Sequence, residues 1–299
     1  MKRHLLGLLL VVIGIAEPVL AWNGTGHKAI SLVAYNRLSP AVRQRIDSLL
    51  ANHPDYPKWI AGVPAAERGR AAFLAASVWP DQIRSDPRFY GDNDSPTPPI
   101  PGLPDGAQVK HAEWHYIDTP FSTDGTPTVP AVESNALREL EEFDSAGRKS
   151  EAMQAYLLPW ILHVTEDVHQ PLHTMMRFTA NDHDGDRGGN TVRLQVGSNL
   201  HSYWDGQLGR EDGDLNQLAA TIQERNPRPA TLDMQPRHWI DEGFASRQQV
   251  YSFTGTGTQE NPGVTSDEYA RQANKLAFQR AALAGYRLAE FLNTHFNEK

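Results

Sequence analysis

The chain has 299 residues, of which 39% are hydrophobic and 21% charged, with a formal net charge of −8 and no cysteine. That length suffices for one sizeable core without staples, and the lack of cysteine excludes disulfides and thiolate metal sites. The acidic balance excludes the broad lysine-rich footprint of strong non-specific duplex binding, so any attraction for phosphate has to be local.

Residues 1–21 read as a secretory leader: Lys2 and Arg3, an apolar run from Leu5 to Ile15, then Val19-Leu20-Ala21 with small residues where a signal peptidase cuts. The run is too short to span a bilayer. Trp22 is therefore the expected first residue of a single mature domain, 22–299, secreted or periplasmic. Loss of Lys2, Arg3 and Glu17 takes the net charge from −8 to −9. No later segment reads as transmembrane, so no membrane partner is expected, and the chain is read as a monomer. Asn23-Gly24-Thr25 matches a glycosylation acceptor.

The fold class expected is all-α, mainly helical with a small β-hairpin. His27 opens a helical pattern through Ile30, Val33, Ala34 and Leu38, and Ser39-Pro40 starts another with Val42, Ile46, Leu49 and Leu50 inward. A third helix is expected from Ala65 to Val78, ending in Trp79-Pro80-Asp81-Gln82-Ile83-Arg84. Taken alone, His27 reads as a core histidine and Asp81 as a cap. Residues Asp86 to Gln108 lack periodicity and read as an irregular surface loop. Next comes the cluster Glu113-Trp114-His115-Tyr116-Ile117-Asp118-Thr119-Pro120, then a helix with Val132, Leu137, Leu140 and Phe143 on one side and a charged face opposite.

A helical pattern from Glu151 to Met176 contains the run His163-Val164-Thr165-Glu166-Asp167-Val168-His169-Gln170-Pro171-Leu172-His173. His163 and Asp167 are four apart and share a helix face, which suits two ligands of one ion. Pro171 bends the chain and re-aims His173, so the pattern points to two metals. Asn181 to Asn190 resembles half of a calcium loop, but Arg187 stands at its sixth position and Arg193 at its twelfth, which sets calcium aside. Thr191 to Val196 alternates like one arm of a hairpin. Asn199-Leu200-His201-Ser202-Tyr203-Trp204-Asp205 then repeats the His and Asp spacing. Helical patterns follow around Leu218–Ile222, Ile240–Tyr251 and Tyr269–Phe296, while His238 and His295 stand apart as structural or surface residues.

The candidate ligands are thus His27, Asp81, His115, His163, Asp167, His173, His201 and Asp205. Imidazole and carboxylate without thiolate suit zinc, with manganese or iron as alternatives. Clustered metals point to hydrolysis at phosphorus, and no Gly-x-Ser-x-Gly elbow offers a covalent route.

Together, Trp22 with His27, Trp79-Pro80-Asp81 with Arg84, His115-Tyr116-Ile117-Asp118, His163 with Asp167, Gln170-Pro171-Leu172-His173, Gly188-Gly189-Asn190, and Asn199-Leu200-His201 with Trp204-Asp205 resemble the S1/P1 nuclease family of secreted zinc-dependent single-strand nucleases and 3′-nucleotidases. The resemblance spans nearly the whole mature chain in order. It implies a helical fold related to zinc phospholipase C and three Zn²⁺ per chain. Asp81, His115, His163 and Asp167 would hold one, and His173, His201 and Asp205 a second. His27, a bridging Asp167, and the free amine and carbonyl of Trp22 would hold the third. Three such ions outweigh the charge of Asp81, Asp167 and Asp205 by about +3, enough to capture phosphate on an acidic protein.

By the same resemblance the catalytic roles fall on Asp81 and Arg84, with Arg84 on the phosphate, Tyr116 stacked on the base and Asp118 accepting from a base edge. The implied activity is endonucleolytic cleavage of single-stranded DNA and RNA to 5′-phosphates by in-line attack of a metal-activated hydroxide, with 3′-nucleotides as further substrates. One departure is Gly206, where some relatives carry a polar side chain after the equivalent of Asp205. Two rival readings are a zinc phospholipase C-type lipid phosphodiesterase and a non-catalytic periplasmic zinc-binding protein. The Asp86–Gln108 loop is too polar for a membrane-seeking rim, and zinc storage has no use for Arg84, Tyr116 or Asp118.

Overall fold

The computed structural model describes residues 22–209 and 213–297; the expected leader, 1–21, lies outside the described residues. The described chain is mainly helical. In order the helices are α1 (Gly24–Tyr35), α2 (Pro40–Ala51), α3 (Tyr56–Trp59), α4 (Arg68–Ala76), α5 (Trp79–Ile83), α6 (Ala136–Phe143), α7 (Glu151–Asp167), α8 (Leu200–Asp205), α9 (Leu215–Arg225), α10 (Pro236–Ala245), α11 (Arg247–Val250) and α12 (Asp267–His295). None is long and apolar enough to cross a membrane.

Side-chain caps set several of the starts. Asn23 Oδ1 accepts from the Gly26 N–H at 2.9 Å, so α1 begins a turn before His27 rather than at it. Ser39 caps α2 with Pro40 at its first position, and Ser150, Asn199 and Ser266 cap α7, α8 and α12. The helix expected from Val132 starts only at Ala136, because Asn135 Oδ1 accepts from the N–H groups of Leu137 and Arg138. Val132 lies outside it and is exposed.

Helix α7 runs through the centre, packed by α1, α2, α4, α5, α6 and α12. From Leu158 to Asp167 every one of its residues is buried, so this segment can carry ligands only to the interior. It stops at Asp167 rather than reaching Met176. Proline at 171 would clash with the carbonyl of residue 167 and forces Gln170 into extended backbone (φ −81°, ψ 119°). A short 3₁₀ turn, Pro171–Thr174, follows.

The small sheet is not a hairpin. Strands β1 (Pro120–Ser122) and β2 (Met176–Phe178) pair in parallel, with Phe121 opposite Arg177. The expected arm, Thr191–Val196, makes only isolated bridges, Arg193 to Asn199 and Leu194 to Gly263. Its partners are backbone groups of the loop before α12, including Gly257 O and Gly263 O, which alternation in one segment could not reveal. The Asp86–Gln108 loop is built around Gln108, whose Nε2 donates to Arg88 O, Thr97 Oγ1 and Pro98 O and whose Oε1 accepts from Ile100 N. A second, smaller core of Leu172, Met175, Val192, Leu200, Trp204 and Phe253 lies beneath the segment joining Pro171 to α8.

Candidate metal centre

Four parts of the chain converge at the end of α7. The helix supplies His163 and Asp167 one turn apart, with Nε2 and Oδ2 3.2 Å from each other. Helix α1 brings His27, whose Nε2 lies 3.4 Å from Asp167 Oδ1. Helix α5 brings Asp81, with Oδ1 3.6 Å from His163 Nε2 and 3.8 Å from His115 Nδ1. His115 ends a 3₁₀ turn, Ala112–His115, entered through His111 in left-handed backbone at φ +44°. Its Nδ1 is 3.1 Å from Asp167 Oδ2.

A second group gathers beside the first. Gln170 precedes the turn that aims His173 at His201, and their Nε2 atoms lie 3.1 Å apart. One turn further along α8, Asp205 Oδ1 is 3.8 Å from His201 Nε2 and accepts from Gln170 Nε2 at 2.8 Å. All eight candidate ligands read from the sequence fall into these two adjoining groups.

The outward nitrogens decide the protonation of the rings. His163 Nδ1 meets Ser77 O, His173 Nδ1 meets His115 O and His201 Nδ1 meets Gly188 O, each at 2.7 Å. A carbonyl only accepts, so those nitrogens carry the hydrogen, and on the neutral rings of His173 and His201 each Nε2 then presents a lone pair inward. Two lone pairs facing each other at 3.1 Å repel unless a cation lies between them. The separations of 2.9–3.8 Å across the groups bracket the roughly 3.4 Å expected between donors about 2.0–2.1 Å from one tetrahedral ion.

His27 Nε2, Asp81 Oδ1 and Asp167 Oδ1 are also buried without a hydrogen-bond partner. Three sets, His27 with Asp81 and His163, His115 with His163 and Asp167, and His173 with His201 and Asp205, each place one donor atom per residue within 4.8 Å of the others. These residues fit metal ions.

The electrostatics make the same demand. Burial, reinforced by neighbouring histidines, pushes His27, His115 and His173 well below the usual range, and burial brings His201 down to about 4. Burial also opposes charge on His163, but Asp167 and Asp81 beside it outweigh that and hold it well above the usual value. Desolvation raises Asp205 strongly and Asp167 to about 6. With four rings held neutral and His163 alone favouring charge, the buried carboxylates are short of positive charge, which divalent ions supply.

Around the donors, Arg84 Nη1 lies 3.6 Å from Asp81 Oδ1, with its side chain a quarter exposed. Ile117 N donates to His173 O and Met176 N to Thr119 O, which ties the extended segment after His115 to the ligand turn. Alternation buries Ile117 and leaves Tyr116 and Asp118 half-buried on the other side. Burial, with Asp186 adding to it, raises Asp118 to about 6. Trp22 is fully buried, its indole N–H donating to Glu166 O, while Asn23 N donates to Asp205 O at 3.2 Å. His238 and His295 stand outside, paired with Asp233 and Asp144.

Glu166 was not anticipated. It is fully buried, with Oε2 2.6 Å from His27 Nδ1 and Oε1 accepting from Ser31 Oγ. It plays for His27 the orienting part that carbonyl groups play for the other rings. The available signal was its spacing, three residues past His163 and so on nearly the same face of α7.

Fold and site together define a class: a mainly helical protein that gathers imidazoles and carboxylates from separate helices into a buried, metal-competent centre, with an arginine beside it. The chain belongs to the S1/P1 nuclease family, whose model, described as S1/P1 Nuclease, matches residues 22–297. It is also 22% identical to Endonuclease 2 of Arabidopsis thaliana over 311 aligned positions, covering 94% of this chain and 92% of that protein. Membership makes it a nuclease, a hydrolase of phosphodiester bonds with nucleic acid as substrate.

Proposed function

We propose that the protein is a zinc-dependent endonuclease of single-stranded DNA and RNA that leaves 5′-phosphates and also removes 3′-phosphates from nucleotides. The mature domain would be 22–299, a secreted or periplasmic monomer released by removal of 1–21. The observation that carries the metal reading is the facing pair of His173 and His201, whose ring nitrogens are both set as acceptors 3.1 Å apart.

Asp81, His115, His163 and Asp167 would hold one zinc ion, and His173, His201 and Asp205 a second. His27, Asp167 and the terminal amine and carbonyl of Trp22 would hold a third. Zinc in such a site supplies an acidified water and positive charge to offset that developing at phosphorus. The chain's own residues do the rest. Asp81 orients Arg84 toward the centre, and the guanidinium holds two phosphate oxygens in a fixed fork. Tyr116 offers a stacking face and Asp118 an acceptor for a base edge. Stacking tolerates every base but needs it unpaired, which favours single strands. The burial of Trp22 beside Glu166 and the tie from Asn23 to α8 support a start of the mature chain at the centre.

The test is to incubate protein processed before Trp22 with single-stranded and duplex DNA, with and without chelator, and to determine the new ends. Chelator-sensitive cleavage of the single strand to 5′-phosphates is expected. Cleavage that survives complete removal of metal, or that leaves 3′-phosphates, would overturn the reading.

A further inference from the structure

Away from the metal centre, α6, the Asp144–Lys149 connection and the first turns of α7 enclose an open cleft of about 810 Å³, a size usual for small-molecule sites. Its floor holds an anomaly. Glu139 is only 7% exposed, yet its side chain takes part in no hydrogen bond or ion pair within the described residues. A carboxylate left so is costly to bury, and most folds would place an apolar side chain there. The nearby base Arg138 is turned to Glu142 at 3.1 Å, and at the rim Asp144 is held by His295 at 2.9 Å.

The rest of the cleft selects the sign and shape of an occupant. Four carboxylates and two bases line it, so with every acid ionised it carries an excess of two negative charges and disfavours phosphate. Trp114, Phe143, Met153 and Leu157 provide an apolar wall beside Glu139, suited to a methylene chain. We propose that this cleft binds an alkyl diamine or polyamine, with one ammonium group seated on Glu139 and the methylene chain lying along Trp114, Phe143, Met153 and Leu157.

The pairing explains why an acid is kept at this buried position. Burial, with Glu142 adding to it and Arg138 opposing it, raises the empty Glu139 to about 7. The charged groups facing it are Arg138, Glu141 and Glu142 on its own helix and Asp144 and Lys149 on the following connection. His111 and Tyr156 stand beside it from the 3₁₀ turn and from α7, and α10, which also packs against α6, carries Arg237, His238, Asp241 and Glu242. An arriving ammonium must therefore find or create the ionised form, and affinity should fall up to tenfold for each pH unit below about 7. The site is separate from the nuclease reading, since its wall includes Trp114 but no metal-ligating side chain.

Isothermal titration of the metal-loaded enzyme at pH 8 with 1,5-diaminopentane tests this, with 1,5-pentanediol as the neutral isostere. Saturable binding of the diamine alone is expected, weakened at least tenfold in Glu139→Gln and unchanged in Glu224→Gln, an exposed acid on α9. A cooperative circular-dichroism melt establishes that the Glu139→Gln variant is folded. Equal affinity in Glu139→Gln and wild type, an equal loss in Glu224→Gln, or no saturable binding to the wild type would each overturn the proposal.

Discussion

Three glycines around the second ligand group should respond very differently to alanine. Gly188 has φ +60°, and a Cβ there would lie 2.5 Å from the Leu172 carbonyl oxygen and 3.4 Å from His201 Nδ1. The left-handed backbone alone costs an alanine about 1–2 kcal/mol. The contact is with main chain and cannot be relieved by a rotamer change. Relief must move Leu172, which precedes His173, or the Gly188 carbonyl, which fixes His201. Overpacking of this kind costs about 1–3 kcal/mol, so Gly188→Ala should destabilise the metal-free fold by about 2–5 kcal/mol.

Gly189 also has positive φ, at +82°, but its Cβ would meet only side chains of Leu172 and Leu200, at 3.3 Å. About 1–2 kcal/mol is expected there, mostly backbone. Gly206, at φ −81° with nothing within 4 Å of a Cβ, should accept alanine within about 0.5 kcal/mol. Urea unfolding in chelator, followed by far-UV circular dichroism, measures all three. Because either route of relief at Gly188 disturbs His173 or His201, its alanine variant should also bind one metal ion at least tenfold more weakly. A Gly188→Ala protein as stable as Gly206→Ala would refute the steric argument, and an unstable one with unaltered metal affinity would refute the coupling to the ligands.

Further predictions follow from the surroundings of the centre. Glu166→Gln preserves shape but replaces the carboxyl group on His27 Nδ1 by an amide, and zinc affinity in competition with a fluorescent chelator should fall by about 10–100-fold; equal affinity would argue against an orienting role. Arg84→Ala should keep full zinc content while turnover of single-stranded DNA falls by about 10²–10³; unchanged turnover would remove Arg84 from the phosphate. Glu139 sets a pH dependence of its own. Its folded carboxyl is raised to about 7 by burial first, whereas the unfolded value lies near about 4.3. The unfolded chain therefore loses its proton first as pH rises, and stability should decline between about pH 4 and 7 and then level off. Glu139→Gln should remove that decline, so an unaltered pH profile of urea midpoints would contradict the assignment.

Legibility of the fold and site followed the range of the interactions involved. The closeness of His163 to Asp167 and of His201 to Asp205 was readable because four-residue spacing is fixed by helix geometry. The start of α6 was misplaced because one local cap, Asn135, overrides a run of apolar residues before it. The parallel pairing of Pro120–Ser122 with Met176–Phe178 was out of reach, since nothing in either triplet specifies the other. Glu139 was hidden differently: it falls between Ala136 and Phe143 on the inward side of α6, but an acid there gives no sign of burial until α7, α10 and the turn before Tyr116 pack around it.

The end of α7 shows why local and distant information were both needed. Pro171 says that the helix must stop before it, but not what becomes of the carbonyl groups exposed by stopping. Val168 N, His169 N and Gln170 N take the carbonyls of Val164, Glu166 and Asp167, His169 Nδ1 takes that of Thr165, and two arginines on α12 hold the turn that does so. Arg280 donates to Val168 O and His169 O, and Arg287 donates to His169 Nε2 while His169 Nδ1 donates to Thr165 O. Both arginines are buried and share Glu242 of α10 as counter-ion, an arrangement unreadable from a helical pattern that treats such positions as polar. With its terminal carbonyls so satisfied, α7 can end inside the core directly after Asp167. The chain then turns at Gln170 and delivers His173 to the second group. A helix continued to Met176 would have kept His173 on the axis of α7 and apart from His201, so this fully bonded, arginine-braced turn is what lets one eleven-residue run, His163 to His173, reach both groups.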